Sequence, residues 1–362
     1  MKKITCFTAN LASGGAEHQM AILCNLLAER NYRITLVTYN NLPDEYLLNP
    51  SIKRVIIDKP KNSLLKELVI SRYFLFNKMD CVISFRSTPN FIALIPLLFK
   101  KGVKVICGER NATIVPNYRE KLNYNYLYNR ADYIVPNSYT QAKYLKRLNK
   151  SWGDRVVPII NYTAVDEYFP LDFPKGLDEK FLIGVFARVF PQKNYERLCQ
   201  ALAMLKKRTN RKFKLIWYGE RTDMEHAKGS SHIRQLIKKN NIEDVMEVRP
   251  VVTDVVDNMK QFHVMCLPSL YEGFSNSLSE YICCGKPVVC SDVSDNSVMV
   301  HEGENGFLFD PRDVKSMCAA LEKILALDVS QLQKMGEKSR EIAETLFDKK
   351  RFINSYIKLI EG

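Results

Sequence analysis

Residues 271–292 read "YEGFSNSLSEYICCGKPVVCSD": an acidic turn, a helix-length segment and a short apolar run. Glu272 precedes the helical part, and Glu280 lies inside it. Gly273 permits a tight turn, and Ser275 and Asn276 are both residue types that cap helix N-termini. Ser277-Leu-Ser-Glu280 also matches a capping box, in which the glutamate only satisfies a backbone N–H. Glu272 has no comparable structural role, because it stands before the helix at the end of an apolar run. Taken alone, the two acids fit a capped helix as well as a ligand clamp.

Working outward, similar apolar runs recur along the chain. The first half has "ITCFTAN", "RITLVTY", "RVIID", "DCVISF", "KVICGER", "DYIVPNS" and "VVPIIN". The second half has "FLIGVFAR", "FKLIWYG", "MEVRPVV", "FHVMCLPS" and "KPVVCSD". Their apolar residues are continuous rather than alternating, as in parallel strands buried on both faces. Helix-length amphipathic segments separate most of them, so the expected class is α/β with two doubly wound, Rossmann-like domains. The segment "FPLDFPKGLDEK" (169–180) reads as a linker. We therefore expect domains at 1–170 and 171–345 and a terminal helix over 346–362 that can pack on either.

At 362 residues the chain suits two domains. Hydrophobic residues make up 46% and charged residues 26%, the balance of a globular rather than a disordered protein. The net charge is +13, and residues 1–170 hold 24 Lys/Arg against 13 Asp/Glu, so nearly all the excess lies in the first half. That half is expected to face something anionic. The ten cysteines contain no C-x-x-C and mostly sit inside apolar runs, which argues against a disulfide framework and suits a reducing cytoplasm. Polar residues interrupt the N-terminal apolar stretch, so it does not read as a signal peptide. The longest apolar run, "FIALIPLLF" (91–99), is too short to span a bilayer.

Ligands of doubly wound sheets bind beyond the carboxyl ends of the strands. After the first run comes Gly14-Gly15, a turn before a helix that suits a phosphate or is simply a turn. No G-x-G-x-x-G and no Walker A motif is present, which disfavours a dinucleotide or ATP site. After "FLIGVFA" come Arg188 and Lys193, a cation pair that suits a diphosphate or stays solvated. The third loop is the opening stretch. If it is mostly helical, its two acids stand about 12 Å apart. That is the span from sugar to ribose in a nucleotide-sugar, with helix amides between them for the phosphates.

With these loops assembled, the sequence resembles the retaining glycosyltransferases of family 4, which have the GT-B fold. The resemblance rests on "SGGAE" (13–17), Arg188-x4-Lys193, "PSLYEGFSNSLSE" (268–280) with its E-x7-E, and "NGFLFDPRD" (305–313). It implies two domains facing across a cleft, with a nucleotide-sugar, UDP-linked in many relatives, held between them. By position, Arg188 and Lys193 would neutralise the diphosphate, and Gly14 and Gly15 would let the first loop approach it. Glu280 would bind the ribose and Glu272 the donor sugar. The amides of Phe274, Ser275, Asn276 and Ser277 would face the β-phosphate and sugar, and Val251 and Val252 the base. The resemblance also implies transfer with retention by front-face attack. The chain has no D-x-D, so no metal is expected, the cation pair serving instead.

Several relatives carry a histidine after an N-terminal strand where this chain reads "CGERNAT", leaving Glu109, Arg110 and Asn111 either to position a substrate or to form a loop ion pair. His18 reads as helix surface and His301 as a turn residue. The basic, tyrosine-rich first half, with "LLKELVISRYFLFNKM" and "FIALIPLLFKKGVK", suits a lipid-linked saccharide acceptor and peripheral contact with the inner face of the cytoplasmic membrane. No nucleic-acid motif accompanies the charge. A sugar-nucleotide epimerase and a non-catalytic partner subunit share the expected architecture. The first lacks a convincing set of titratable groups, and the intact Glu272, Glu280, Arg188 and Lys193 argue against the second.

Overall fold

The computed structural model describes residues 1–12, 14–43, 46–110, 116–174, 180–221 and 227–362. Two compact units divide them: Met1–Tyr162 with Lys349–Gly362, and Thr163–Asp348.

In the first unit, strands β1 (Lys3–Thr8), β2 (Arg33–Thr38), β3 (Lys53–Ile56), β4 (Cys81–Phe85), β5 (Lys104–Glu109) and β6 (Tyr133–Pro136) form one sheet ordered β3-β2-β1-β4-β5-β6. In the second, β7 (Phe181–Phe186), β8 (Phe213–Glu220), β9 (Met246–Pro250), β10 (Val264–Leu267), β11 (Val288–Ser291) and β12 (Gly306–Phe309) form the other, ordered β12-β11-β10-β7-β8-β9. Every pairing in both sheets is parallel. β1, β4, β10 and β11 are buried almost throughout because helices cover both faces of each sheet. Strand order reverses between β1 and β4 in one sheet and between β7 and β10 in the other, so the loops after these four strands flank the binding crevices.

Four expectations change. "VVPIIN" is not a strand: Val156 only bridges Ile134, although the Val157 and Ile159 amides donate to Ile134 and Pro136. Pro136, the residue of β6 that would return a bond between these two, has no N–H to donate, and no ladder forms. β12 arises instead from "NGFLFD", beside β11. The chain first passes between units at Tyr162/Thr163 rather than near residue 170. The predicted linker is packed over its described part: the Leu171 amide donates to the Cys284 carbonyl, and Lys286 Nζ donates to the Asp172 carbonyl. Residues 175–179 lie outside the described residues.

The terminal helix, Lys349–Glu361, belongs to the first unit. Phe352 stacks on Tyr162 at 5.5 Å, Lys2 pairs with Glu361 at 2.7 Å, and Tyr356 is wholly buried against Arg110. All ten cysteines are free and buried, as their apolar settings imply. Removing the Tyr356 ring leaves a cavity and takes the acceptor from Nη2 of the buried Arg110 guanidinium. Tyr356→Ala is therefore expected to cost about 3–5 kcal/mol in urea unfolding, and Tyr356→Phe about 1–3 kcal/mol.

Candidate active site

Around the β7/β10 reversal, hydrogen bonds staple two loops together. Asn194 takes the left-handed conformation (φ 58°), which asparagine tolerates better than most residues. Its buried side-chain amide donates to the carbonyls of Pro268 (3.1 Å) and Pro311 (2.8 Å). Next to it, the Gln192 carbonyl accepts from the Leu270 amide at 2.8 Å, and Gln192 Nε2 donates to the Tyr271 carbonyl at 2.7 Å. The loop after β7 is thereby fixed onto the loop after β10. Lys193 meets Glu272 in this frame as a hydrogen-bonded ion pair, with side chains 15% and 10% exposed. By motif position Lys193 would meet a diphosphate and Glu272 a sugar; the fold brings the two side chains together.

Arg188 is exposed and has no partner among the described residues. Its position depends on Gly219 (φ +145°), because a Cβ there would fall 1.9 Å from the Ala187 carbonyl oxygen. Without a side chain at 219, the Ala187 amide donates to the Tyr218 carbonyl at 3.0 Å and Trp217 Nε1 donates to the Ala187 carbonyl at 2.6 Å.

The helix Asn276–Cys283 begins where expected, but its cap is Ser275, whose side chain accepts from the Leu278 amide. Ser277 lies inside the helix, and its hydroxyl donates to the Phe186 carbonyl at 3.1 Å. The capping box anticipated for Ser277 and Glu280 is thus absent, since the true cap places Leu278 at its third position. Glu280 is left without a hydrogen-bond partner among the described residues. It is only half-buried by area, yet the protein around its carboxyl pushes its pKa from 4.5 to about 7. Tyr281, wholly buried, accepts from the Phe186 amide at 2.9 Å and locks the helix to the end of β7. Val251 is 51% exposed just beyond β9.

In the first unit, Gly14 caps the helix Gly15–Ala28 in extended conformation. A Cβ at Gly14 would lie 2.3 Å from Glu17 Oε2. Glu17, in the first turn of this helix, is buried and pairs with Arg86, just after β4, at 2.7 Å, an ion pair that the sequence pattern does not announce. The available signal was an arginine immediately after an apolar run. His18 stacks on Tyr46 at 4.7 Å, and burial lowers its pKa. His301 sits in a turn, its amide donating to Asn305 at 2.7 Å.

Glu109 and Arg110 do not form the loop ion pair considered above. Glu109 is buried and accepts from the Tyr128 hydroxyl, and burial pushes its pKa up to about 7 against that bond. Arg110 covers the Phe85 ring at 3.7 Å and donates to Tyr356 and Asn161. Asn111 lies outside the described residues. No cluster of three or more metal-ligating side chains gathers among the described residues.

Residues 171–342 match the family model described as "Glycosyl transferases group 1". With two Rossmann-like units and relatives named for the same activity, the chain is a glycosyltransferase with the GT-B fold. Over the whole of both chains it is 26% identical to an N-acetylgalactosamine-N,N'-diacetylbacillosaminyl-diphospho-undecaprenol 4-alpha-N-acetylgalactosaminyltransferase of Campylobacter jejuni. A sucrose-phosphate synthase structure from Thermosynechococcus elongatus superposes with a TM-score of 0.82 at 18% identity, covering 100% of this chain and 98% of that one. The Anabaena HepE structure with UDP and glucose superposes with a TM-score of 0.81 at 17% identity, covering all of both chains.

Because Glu280 holds its proton more tightly folded than unfolded, it lowers stability progressively as pH rises from about 4.5 to about 7, and fully above that range. Glu280→Gln is expected to exceed the wild type in stability by an amount on the order of 1–3 kcal/mol at pH 8, and to match it near pH 4. Urea unfolding at the two pH values measures the difference.

Proposed function

We propose that this enzyme transfers a hexose or N-acetylhexosamine, with retention and without a metal, from a UDP-sugar to a lipid-linked saccharide in surface polysaccharide assembly. The observation that carries the reading is the set of groups at the β7/β10 reversal: an unpartnered Arg188, the Lys193–Glu272 pair, and a Glu280 carboxyl left free by the helix cap. The acceptor class is supported by the name of the Campylobacter jejuni relative, which transfers N-acetylgalactosamine to a diphospho-undecaprenol-linked saccharide. UDP is the nucleotide in the Anabaena structure.

Bond cleavage puts charge on the departing diphosphate, so catalysis needs fixed positive groups where that charge develops. Arg188 offers a two-pronged guanidinium, and Lys193 a point charge held in place by Glu272. The amides of Phe274, Ser275, Asn276 and Ser277 face the β-phosphate and sugar at the helix start. Glu272 accepts a sugar hydroxyl on its remaining oxygen, and Glu280 accepts from the ribose, which favours its ionised form. Val251 and Val252 lie toward the base. Gly14 and Gly15 leave the first unit's own loop free of side chains, which suits close approach by a phosphate. Attack by the acceptor hydroxyl on the face the diphosphate leaves gives retention, and the cations take the place of a metal. The enzyme works at the inner face of the cytoplasmic membrane. No helix among the described residues is long and apolar enough to cross it.

Incubation with UDP-sugars and lipid-linked saccharides, with and without EDTA, tests the whole reading. NMR of the product reads the anomeric configuration, and inversion or loss of transfer in EDTA overturns the corresponding part. Arg188→Ala separates chemistry from folding, since Arg188 is exposed and unpartnered. Transfer is expected to fall by roughly 100- to 1000-fold, with unfolding stability unchanged within about 0.5 kcal/mol. For Glu272, Gln is a better probe than Ala, because Ala leaves Lys193 without its partner. Glu272→Gln is expected to lose at least about 100-fold in kcat while remaining folded.

A further inference from the structure

The helix Ser63–Phe76 turns two apolar faces in opposite directions. Ile70 and Phe74 are wholly buried in the first unit's core. Outward point Leu64, Leu65, Leu68, Val69, Leu75 and Phe76, with Leu64 74%, Leu68 65% and Phe76 76% exposed. At 100° per residue these six and Arg72 fall within an arc of about 140°, a continuous stripe along nearly the whole helix. Leu98 and Phe99, the latter 80% exposed, extend it. The following residue, Lys100, donates from Nζ to the Phe74 carbonyl at 2.8 Å and to Asn77, which fixes this corner beside the helix end. An outward stripe of this kind is not what a surface helix needs in order to fold, and it marks an interaction site.

Its surroundings identify the partner. Residues 59–101 contain eight Lys/Arg (Lys59, Lys61, Lys66, Arg72, Lys78, Arg86, Lys100 and Lys101) and two acids, Glu67 and Asp80. Glu67 is already paired with Arg119 at 2.7 Å. Arg72, Lys61, Lys78 and Lys101 are exposed. An open cleft of about 920 Å³ begins at Leu98 and is lined by Lys2, Lys100, Lys101, Lys104 and Arg130 against Asp80 and Asp132. A second copy of the chain would bring the same cations face to face across a two-fold interface, which disfavours it. Apolar side chains rimmed by cations match the acyl region and anionic headgroups of a bilayer surface.

We propose that the outward face of the helix Ser63–Phe76, with Leu98–Phe99, docks the enzyme onto an anionic membrane. Leu64, Leu68, Phe76 and Phe99 enter the acyl boundary, while Arg72, Lys78 and Lys101 meet headgroup phosphates. This deepens the membrane reading above by giving it a surface, and it does not depend on which sugar is transferred.

The test is flotation of the full chain with phosphatidylglycerol–phosphatidylethanolamine vesicles and with phosphatidylcholine vesicles. The wild type is expected to float with the anionic vesicles, less so as salt rises. Leu68→Glu/Phe76→Glu, at exposed positions, is expected to reduce partitioning by roughly 100-fold or more. Arg72→Ala and Lys78→Ala are each expected to reduce it about fivefold and to weaken its salt dependence. Thermal shift with UDP-sugars should be unchanged in all variants, so a fault in the donor reading shows separately from a fault in this one. Three outcomes overturn the proposal: a wild type that stays with the soluble fraction, a Leu68→Glu/Phe76→Glu variant that floats like the wild type, or a wild-type dimer by light scattering that this variant converts to monomer.

Discussion

One side-chain amide, that of Asn194, holds together three loops that are far apart in sequence. By donating to Pro268 and Pro311 it ties the end of β7 to the ends of β10 and β12. The bonds are buried, so each is stronger than in water and costly to leave unmade. The neighbouring bonds of Gln192 extend the staple, and the Lys193–Glu272 pair is its consequence. A nearly buried ion pair needs fixed geometry if the attraction is to offset desolvation. Here the geometry comes from the backbone rather than from the charged side chains themselves.

The same principle explains the helix that carries Glu280. Ser275 caps it, Ser277 and Tyr281 tie it to Phe186, and Arg340 donates to the carbonyls of Cys283 and Tyr168 beneath it. All its local needs are met by other residues, so its one acidic side chain is left without a structural partner. An unpartnered carboxyl whose pKa burial raises is consistent with the ribose-binding role proposed for it. Arg188, held in position by the missing side chain at Gly219, is its cationic counterpart.

The first unit divides its charged residues differently. Arg110 and Glu109 were candidates for substrate contact, and both are absorbed into the core. Arg110 bonds Tyr356, 246 residues away, so no local pattern could have revealed that the terminal helix would claim it. Arg86 went unnoticed because a single arginine after a strand carries no spacing signal, and its partner Glu17 was read only as part of a motif. Asn194 was equally hidden, since nothing in "PQKNYERL" announces a left-handed residue bonded to two remote prolines.

Eleven of the twelve strands among the described residues, the doubly wound class and the loops flanking the site were legible because burial on both faces forces continuous apolar runs, and local composition records that burial. β12 was the exception, quoted as a motif but not read as a strand, and "VVPIIN" was the false positive, because Pro136 beside it has no N–H to complete the pairing. What the tertiary structure alone decided was pairing. It gave Lys193 to Glu272, Arg110 to Tyr356 and the cap to Ser275, and it turned one apolar face of the helix Ser63–Phe76 outward. Hydrophobic period is a local property of the chain, whereas the partner of a polar side chain depends on which distant backbone groups the fold delivers within about 3 Å.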